Sequence, residues 1–113
     1  MTDSEINIFK CLDFIRDSSS KFAKAKAERV YLEEFRKTKK ALCMIDAEKN
    51  GHKSSAAQER EAYAHPEYIE LLNALKIAVE EEERLRWQIT AATAKIEVWR
   101  SISANERVEK KTL

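Results

Sequence analysis

A stripe of apolar residues at helical spacing runs through residues 66–104 and constrains the fold more than any other feature of the sequence. Alternate steps of four and three residues from Leu71 reach a series of positions that are all apolar except Glu82 and Ser103. The positions are Leu71, Leu75, Ala78, Glu82, Leu85, Ile89, Ala92, Ile96, Trp99 and Ser103. This is the spacing of a coiled-coil seam, which packs against another helix. We therefore predict one long helix over this range, together with a helical partner for its seam.

The scarcity of glycine and proline favours helices over strands along the whole chain. The 113 residues include one Gly and one Pro, which leaves little material for the turns that join short strands. No apolar run is long enough to span a membrane, and no segment has the pattern of a secretory signal. We expect a single all-α domain over residues 1–113, located in the cytoplasm and without membrane contact.

A second helical pattern covers the first half of the chain. Residues 2–4 offer caps ahead of an apolar ladder that begins at Ile6, whereas residues 17–20 cap a helix better than they extend one. Further on, a stripe with four- and three-residue steps predicts a helix over about residues 21–48. This stripe consists of Tyr31, Phe35, Thr38, Leu42 and Ile45. We predict a first long helix over about residues 4–49, either continuous or bent at residues 17–20.

The connection between the two long helices carries helical signals of its own. Asn50-Gly51 ends the first helix, because glycine tolerates the left-handed conformation that follows a helix. Ser55 and Gln58 have the spacing of a capping box, which predicts a short helix over residues 56–64 with Ser55 as its N-cap. Pro66 then suits the first position of the second long helix.

Two long helices joined in this way are expected to form an antiparallel, coiled-coil-like hairpin, with a charged tail that frays at residues 105–113. The charge distribution supports the hairpin. Residues 21–50 contain nine Lys and Arg against five acidic residues, whereas residues 66–83 contain six Glu against one Lys. We predict that the basic run at residues 36–40 lies beside the acidic block at residues 80–83, where exposed ion pairs align the helices.

A second apolar stripe on the C-terminal helix indicates self-association. It consists of Trp87, Ala91, Ala94 and Val98 and lies on a different side of the helix from the seam. One hairpin partner covers one side, so this stripe is left either for the N-terminal segment folded back or for a second chain. A helical hairpin of this size buries little surface, which favours a homo-oligomer, most simply a dimer.

The sequence shows no motif typical of an enzyme, a cofactor site or a metal site. His52 and His65 lack HExxH-type spacing, so they are better explained as loop and cap residues than as metal ligands. Cys11 and Cys43 are far apart and lie on helical patterns, which favours reduced packing residues over a disulfide or metal ligands. The four consecutive Glu residues at 80–83 point in different directions around a helix, as on a solvated face. We expect no catalytic activity, no cofactor and no metal.

Basic residues on the first long helix are the one electrostatic feature that suggests binding. Several cations in residues 21–40 fall on one side of the helix, near aromatic residues able to stack on unpaired bases. The candidate residues for binding nucleic acid or a partner are Lys24, Arg29, Arg36, Lys37 and Lys40. The alternative is that acids of the second helix neutralise these cations. Binding of another protein by the helical surface explains the pattern at least as well as binding of DNA.

Three blocks of sequence carry a resemblance to a known group of proteins. They are residues 25–42 (AKAERVYLEEFRKTKKAL), 57–68 (AQEREAYAHPEY) and 94–100 (AKIEVWR). They resemble small helical proteins that are encoded in tailed bacteriophages and prophages, often in the early region beside recombination genes. The resemblance implies a bacterial host cytoplasm and a role in phage DNA metabolism or host takeover.

Three functions follow from this reasoning and stay open at the level of sequence. The first is a nonenzymatic accessory of phage recombination or replication that binds single-stranded DNA or a recombination protein. The second is an inhibitor that binds a host nuclease or defence complex. The third is a structural coiled-coil scaffold. The partner is accordingly a second copy of the chain, a host or phage protein, or DNA.

Overall fold

The computed structural model describes residues 6–112 and contains three α-helices. Helix α1 spans Ile8–Lys49, α2 spans Ser55–Ala64 and α3 spans Pro66–Thr112, and no strand occurs in the described part of the chain. The prediction of an all-α hairpin with a short helix in its connection is confirmed. The predicted caps at residues 2–4 lie outside the described residues. A search of the described helices finds none that is long and apolar enough to cross a membrane.

Local chemistry explains where the long helices begin and end. The Asn7 side chain accepts a hydrogen bond from the backbone N–H of Lys10 at 3.1 Å, which caps the start of α1. Gly51 has a φ of 99°, a left-handed conformation that only glycine adopts without strain, and α1 ends just before it. Residues 17–20 are helical, so α1 is continuous through them.

Two predicted boundaries differ from the observed ones. Ser54 caps α2 instead of Ser55, because its side chain accepts the Ala57 N–H at 3.1 Å, while Gln58 donates its amide to the carbonyl of His52. Helix α3 does not end at about residue 104 but continues through the charged tail to Thr112. Lys110 and Lys111 lie in its last turn, where cations interact favourably with the helix dipole.

The chain packs as two compact units, which are described separately. The hairpin unit is Lys24–Glu82, and the terminal unit combines Met1–Ala23 with Glu83–Leu113. In the hairpin unit α1 and α3 run antiparallel, because Asp46 meets His65 near the connection whereas Arg29 meets Glu82 at the other end.

The hairpin unit has two small cores. Leu32 from α1 packs with Leu71 and Ala78 from α3, with Phe35 and Leu75 against them. The second core joins all three helices through Cys43, Ala62 and Tyr68, with Met44 packed against it. Burial of these side chains stabilises the hairpin by removing apolar surface from water.

The seam predicted on α3 agrees with the observed burial except at Trp99, which is 38% exposed, whereas the α1 residues at four- and three-residue spacing lie mostly outside the core. The buried positions of α3 include Leu71, Ala78, Glu82, Leu85 and Ala92. On α1, by contrast, Tyr31 is 61% exposed and Leu42 is 50% exposed. The buried residues of α1 are Ser18, Ala25, Leu32, Cys43 and Ala47. Most of these are small or polar, so the packed face of α1 is less hydrophobic than the exposed face beside it.

The predicted alignment of the charges is also wrong. Glu82 lies against Arg29, about two turns of α1 before the basic run at residues 36–40. Lys40 instead forms a salt bridge with Glu59 of α2 at 3.1 Å. Helix α2 therefore packs alongside α1. Helix α3 begins beside Asp46, about one helical turn before the end of α1, whereas a direct connection would place its start beside that end.

Candidate interaction surfaces

Arg29 and Glu82 form a buried ion pair inside the hairpin unit. The Glu82 side chain is 2% exposed, and both of its carboxylate oxygens accept hydrogen bonds from the Arg29 guanidinium, one at 3.1 Å. Arg29 also donates to Glu33 at 2.9 Å. Hydrogen bonds to Glu82 and then to Glu33 raise the pKa of Arg29. The interpretation of residues 80–83 as a solvated face is therefore wrong for Glu82.

Only some of the predicted binding cations are open to a ligand. Arg29 is engaged as described, and Lys40 donates to the Tyr63 hydroxyl at 2.8 Å and to Glu59 at 3.1 Å. These two hydrogen bonds, that to Tyr63 first, raise the pKa of Lys40. Lys37 is exposed and lies 3.4 Å from Glu34 of the same helix. The other two candidates, Lys24 and Arg36, are exposed.

The residues of α1 at four- and three-residue spacing form an apolar surface. We call it the α1 stripe, and it consists of Tyr31, Phe35, Thr38, Leu42 and Ile45. Tyr31 stacks on Phe35 with ring centroids 5.8 Å apart. Phe35 packs in turn against the core cluster of Leu32, whereas Leu42 and Ile45 are about half exposed. The stripe keeps the spacing of a coiled-coil seam, which suits it to pack against a further helix.

A groove between α1 and α3 lies beside the α1 stripe. The groove has a volume of about 330 Å³, and Leu32, Ile77 and Ala78 are among its apolar lining residues. Glu28 and Glu81 also line it, so the lining includes acidic side chains. Glu28 precedes Tyr31 by three residues, so the groove adjoins the Tyr31 end of the α1 stripe. We call this feature the α1–α3 groove.

The predicted oligomer stripe of the terminal unit is exposed. Trp87 is 65% exposed, and Ala91, Ala94 and Val98 are also exposed. Ala91 lines a groove of about 430 Å³ together with Phe14 of α1. The described N-terminal part of α1 therefore leaves Trp87 and Val98 open to solvent.

A cluster of possible metal ligands lies where the three helices meet. A sulfur, nitrogen or oxygen atom from each of Cys43, His65 and Glu67 lies within 4.8 Å of the corresponding atoms of the other two. Burial raises the pKa of the Cys43 thiol, and the negative charge of Glu67 raises it further. Sequence reasoning missed this cluster because the three residues have no metal-binding spacing along the chain. Their proximity depends on how α2 packs.

Comparison with known proteins adds no relatives: no family model, no curated protein and no solved structure matches the chain. The fold and the surfaces define an all-α helical hairpin protein with large apolar side chains on its outer faces. The functional argument therefore rests on these surfaces.

Proposed function

We propose that this chain is a nonenzymatic accessory protein that binds a protein partner through the α1 stripe and the α1–α3 groove. The observation that carries the proposal is the exposure of Tyr31, Leu42 and Ile45, large apolar residues at coiled-coil spacing outside the core. Exposed apolar patches of this kind mark interaction sites in soluble proteins. The resemblance to phage proteins adds the setting, which is DNA recombination or replication in the cytoplasm of a bacterial host.

The chemistry of the surface favours a basic amphipathic helix as the part of the partner that binds. An apolar ridge on such a helix fits a groove floor that includes Leu32 and Ile77. Lysine or arginine residues beside that ridge complement Glu28, which also lines the groove. A helix bound in the groove would also pack against the α1 stripe, whose residues have coiled-coil spacing.

Charge supports a protein partner over DNA. Two of the five candidate cations, Arg29 and Lys40, are engaged by acidic side chains of the same unit. Acidic residues on the α1–α3 groove would repel phosphate groups, whereas DNA-binding surfaces concentrate positive charge. Lys24, Arg36 and Lys37 remain the residues to test for DNA binding.

Self-association forms a second part of the proposal. Trp87 and Val98 are exposed on the terminal unit, and aromatic residues commonly anchor contacts between chains. We propose a homodimer that uses the stripe of Trp87, Ala91, Ala94 and Val98.

The test compares capture of host proteins by the wild type and by two variants. The interaction variant is Tyr31→Ser with Leu42→Ser, and the control is Val30→Ser, which changes an exposed apolar residue of the same helix outside the stripe. We expect a protein identified from bacterial lysate to be retained by the wild type and the control but lost with the interaction variant. Glu28→Lys should also weaken its retention.

Two outcomes would overturn this assignment. A protein retained equally by all variants does not use the stripe. A salt-dependent shift of single-stranded DNA that Lys24→Ala, Arg36→Ala and Lys37→Ala abolish would assign the surface to nucleic acid instead. If the retained protein is a nuclease or defence protein, the accessory is an inhibitor; if it is a recombination protein, the accessory acts in recombination.

A further inference from the structure

Cys43, His65 and Glu67 come from two parts of the hairpin unit, the end of α1 and the start of α3. Cys43 is buried near the end of α1, His65 separates α2 from α3, and Glu67 lies in the first turn of α3. The core formed by Cys43, Ala62 and Tyr68 holds these parts together. The proximity of the three side chains is therefore built into the packing of the unit.

The hydrogen bonds of His65 determine which of its nitrogens is available to a ligand. Nδ1 accepts the backbone N–H of Glu67 at 3.1 Å, so the proton of the neutral ring is on Nε2. Nε2 donates to Asp46 Oδ2 at 3.3 Å. A metal-binding histidine is commonly held in this way, with one nitrogen toward the metal and the other donating to a carboxylate. Here Nδ1, the nitrogen that accepts the Glu67 N–H, lies 4.0 Å from Glu67 Oε2, and it can bind a metal once that hydrogen bond is released.

The donor atoms suit a particular class of metal ion. Thiolate, imidazole and carboxylate together are ligands of zinc and of the cobalt ion that replaces it, whereas magnesium and calcium prefer oxygen alone. Ligand atoms around such an ion are about 3.4 Å apart, given bonds of about 2.0 to 2.3 Å in a tetrahedron. The three atoms, all within 4.8 Å of one another, need a modest contraction. Rotation of the Glu67 side chain, which is 63% exposed, can bring its carboxylate closer to the other two atoms.

Space and access are present beside the cluster. A cavity of about 160 Å³ is lined by Cys43, Asp46 and His65, among others. This volume accommodates an ion with water at a fourth position. The cation would replace the hydrogen bond from the Glu67 N–H to His65 and would displace the thiol proton of Cys43 to solvent.

We propose that Cys43, His65 and Glu67 bind one Zn²⁺ ion, with Asp46 holding the His65 ring in position. The ion links the end of α1 to the start of α3, so its binding stabilises the closed end of the hairpin unit. The site is independent of the interaction surface described above. Loss of the metal and loss of the protein partner are therefore distinguishable results.

The full-length, reduced chain is titrated with Co²⁺, whose absorption reports its ligands. We expect one equivalent to produce a sulfur-to-cobalt charge-transfer band in the near ultraviolet and the visible bands of a low-symmetry four-coordinate ion. Addition of Zn²⁺ should remove both, and Zn²⁺ should raise the Tm of the apoprotein. Glu67→Gln and His65→Gln should weaken binding by at least tenfold, and Asp46→Asn by about 10-fold to 100-fold.

The chain provides a matched control for the thiolate ligand. Cys11→Ser removes the other cysteine, which belongs to the terminal unit. This variant should keep the charge-transfer band, whereas Cys43→Ser should lose it. If Cys43→Ser fails to fold, Glu67→Gln decides the question, because that side chain is mostly exposed.

Three results would overturn the metal site. The first is the absence of a charge-transfer band in the wild type. The second is a band that Cys11→Ser removes, which would place the thiolate elsewhere. The third is unchanged Co²⁺ affinity in both Glu67→Gln and His65→Gln, which would show that neither side chain is a ligand.

Discussion

Leu32→Ala and Leu42→Ala form a matched pair that tests which side of α1 packs against α3. Leu32 is 9% exposed and belongs to the core cluster with Leu71 and Ala78. Leu42 is 50% exposed and lies on the α1 stripe. The two variants remove the same atoms from the same helix and the same unit. A difference in stability between them therefore reports the surroundings of the side chain.

We expect Leu32→Ala to lower the free energy of unfolding by about 2 to 3 kcal/mol. Complete burial of a leucine contributes about 1.5 to 3 kcal/mol, and the cavity left by truncation adds to the loss. The loss falls at the low end for buried leucines because Leu32 also lines the open α1–α3 groove. Leu42 keeps half of its surface in water, so its truncation should cost less than about 1 kcal/mol. The higher helix propensity of alanine offsets part of that cost.

Urea unfolding followed by far-ultraviolet circular dichroism measures the difference. The midpoint should fall clearly for Leu32→Ala and little for Leu42→Ala, with similar dependence of stability on urea in both. Equal losses, or a larger loss for Leu42→Ala, would refute the assignment of the packed face. Such a result would mean that the α1 stripe is buried in solution.

Three further predictions concern the ion pair, the oligomer and the helix content. Glu82→Ala leaves Arg29 without its buried partner and should lower the Tm. Glu80 is exposed, so Glu80→Ala should leave the Tm nearly unchanged. Equal Tm values for the two variants would contradict the burial of Glu82. Trp87→Ala combined with Val98→Ala should lower the oligomer mass in light scattering while the helicity stays the same. The reason is that loss of about 2 kcal/mol from a contact weakens association about thirtyfold. A monomeric wild type would rule out the dimer. Circular dichroism of the wild type should show more than about two-thirds helix, since capping, periodicity and composition agree, and a spectrum dominated by coil would contradict the fold.

The sequence predicts the helices and one of the two packed faces. The seam of α3 is recognisable because leucine and isoleucine occupy many of its positions, so hydrophobic periodicity and burial coincide. On α1 the buried face is built from residues such as Ser18, Ala25 and Cys43. These carry little hydrophobic signal, while Tyr31 and Leu42 on the exposed stripe carry more. Periodicity therefore identifies an exposed apolar face of α1 and not its core.

The candidate sites depend on alignment, which the sequence does not determine. The register of α1 against α3 follows from the way α2 lies back along α1, and this packing involves the contact of Lys40 with Glu59 and Tyr63. The number of charges in each segment predicts a different alignment of α1 and α3, because such a count does not show which individual residues form ion pairs. The meeting of Cys43 with His65 follows from the same packing, so no motif along the chain could reveal it.

The small residues at the helix contacts are positions that do not tolerate substitution by larger side chains. Ala25, Ala47, Ala62, Ala78 and Ala92 are all buried. A larger side chain at such a position pushes the helices apart, and overpacking of this kind typically costs about 1 to 3 kcal/mol. The large side chains of the outer stripes meet no such limit. Over generations the chain can therefore exchange Tyr31 or Leu42 for residues that suit a new partner, while the alanines preserve the same hairpin beneath them.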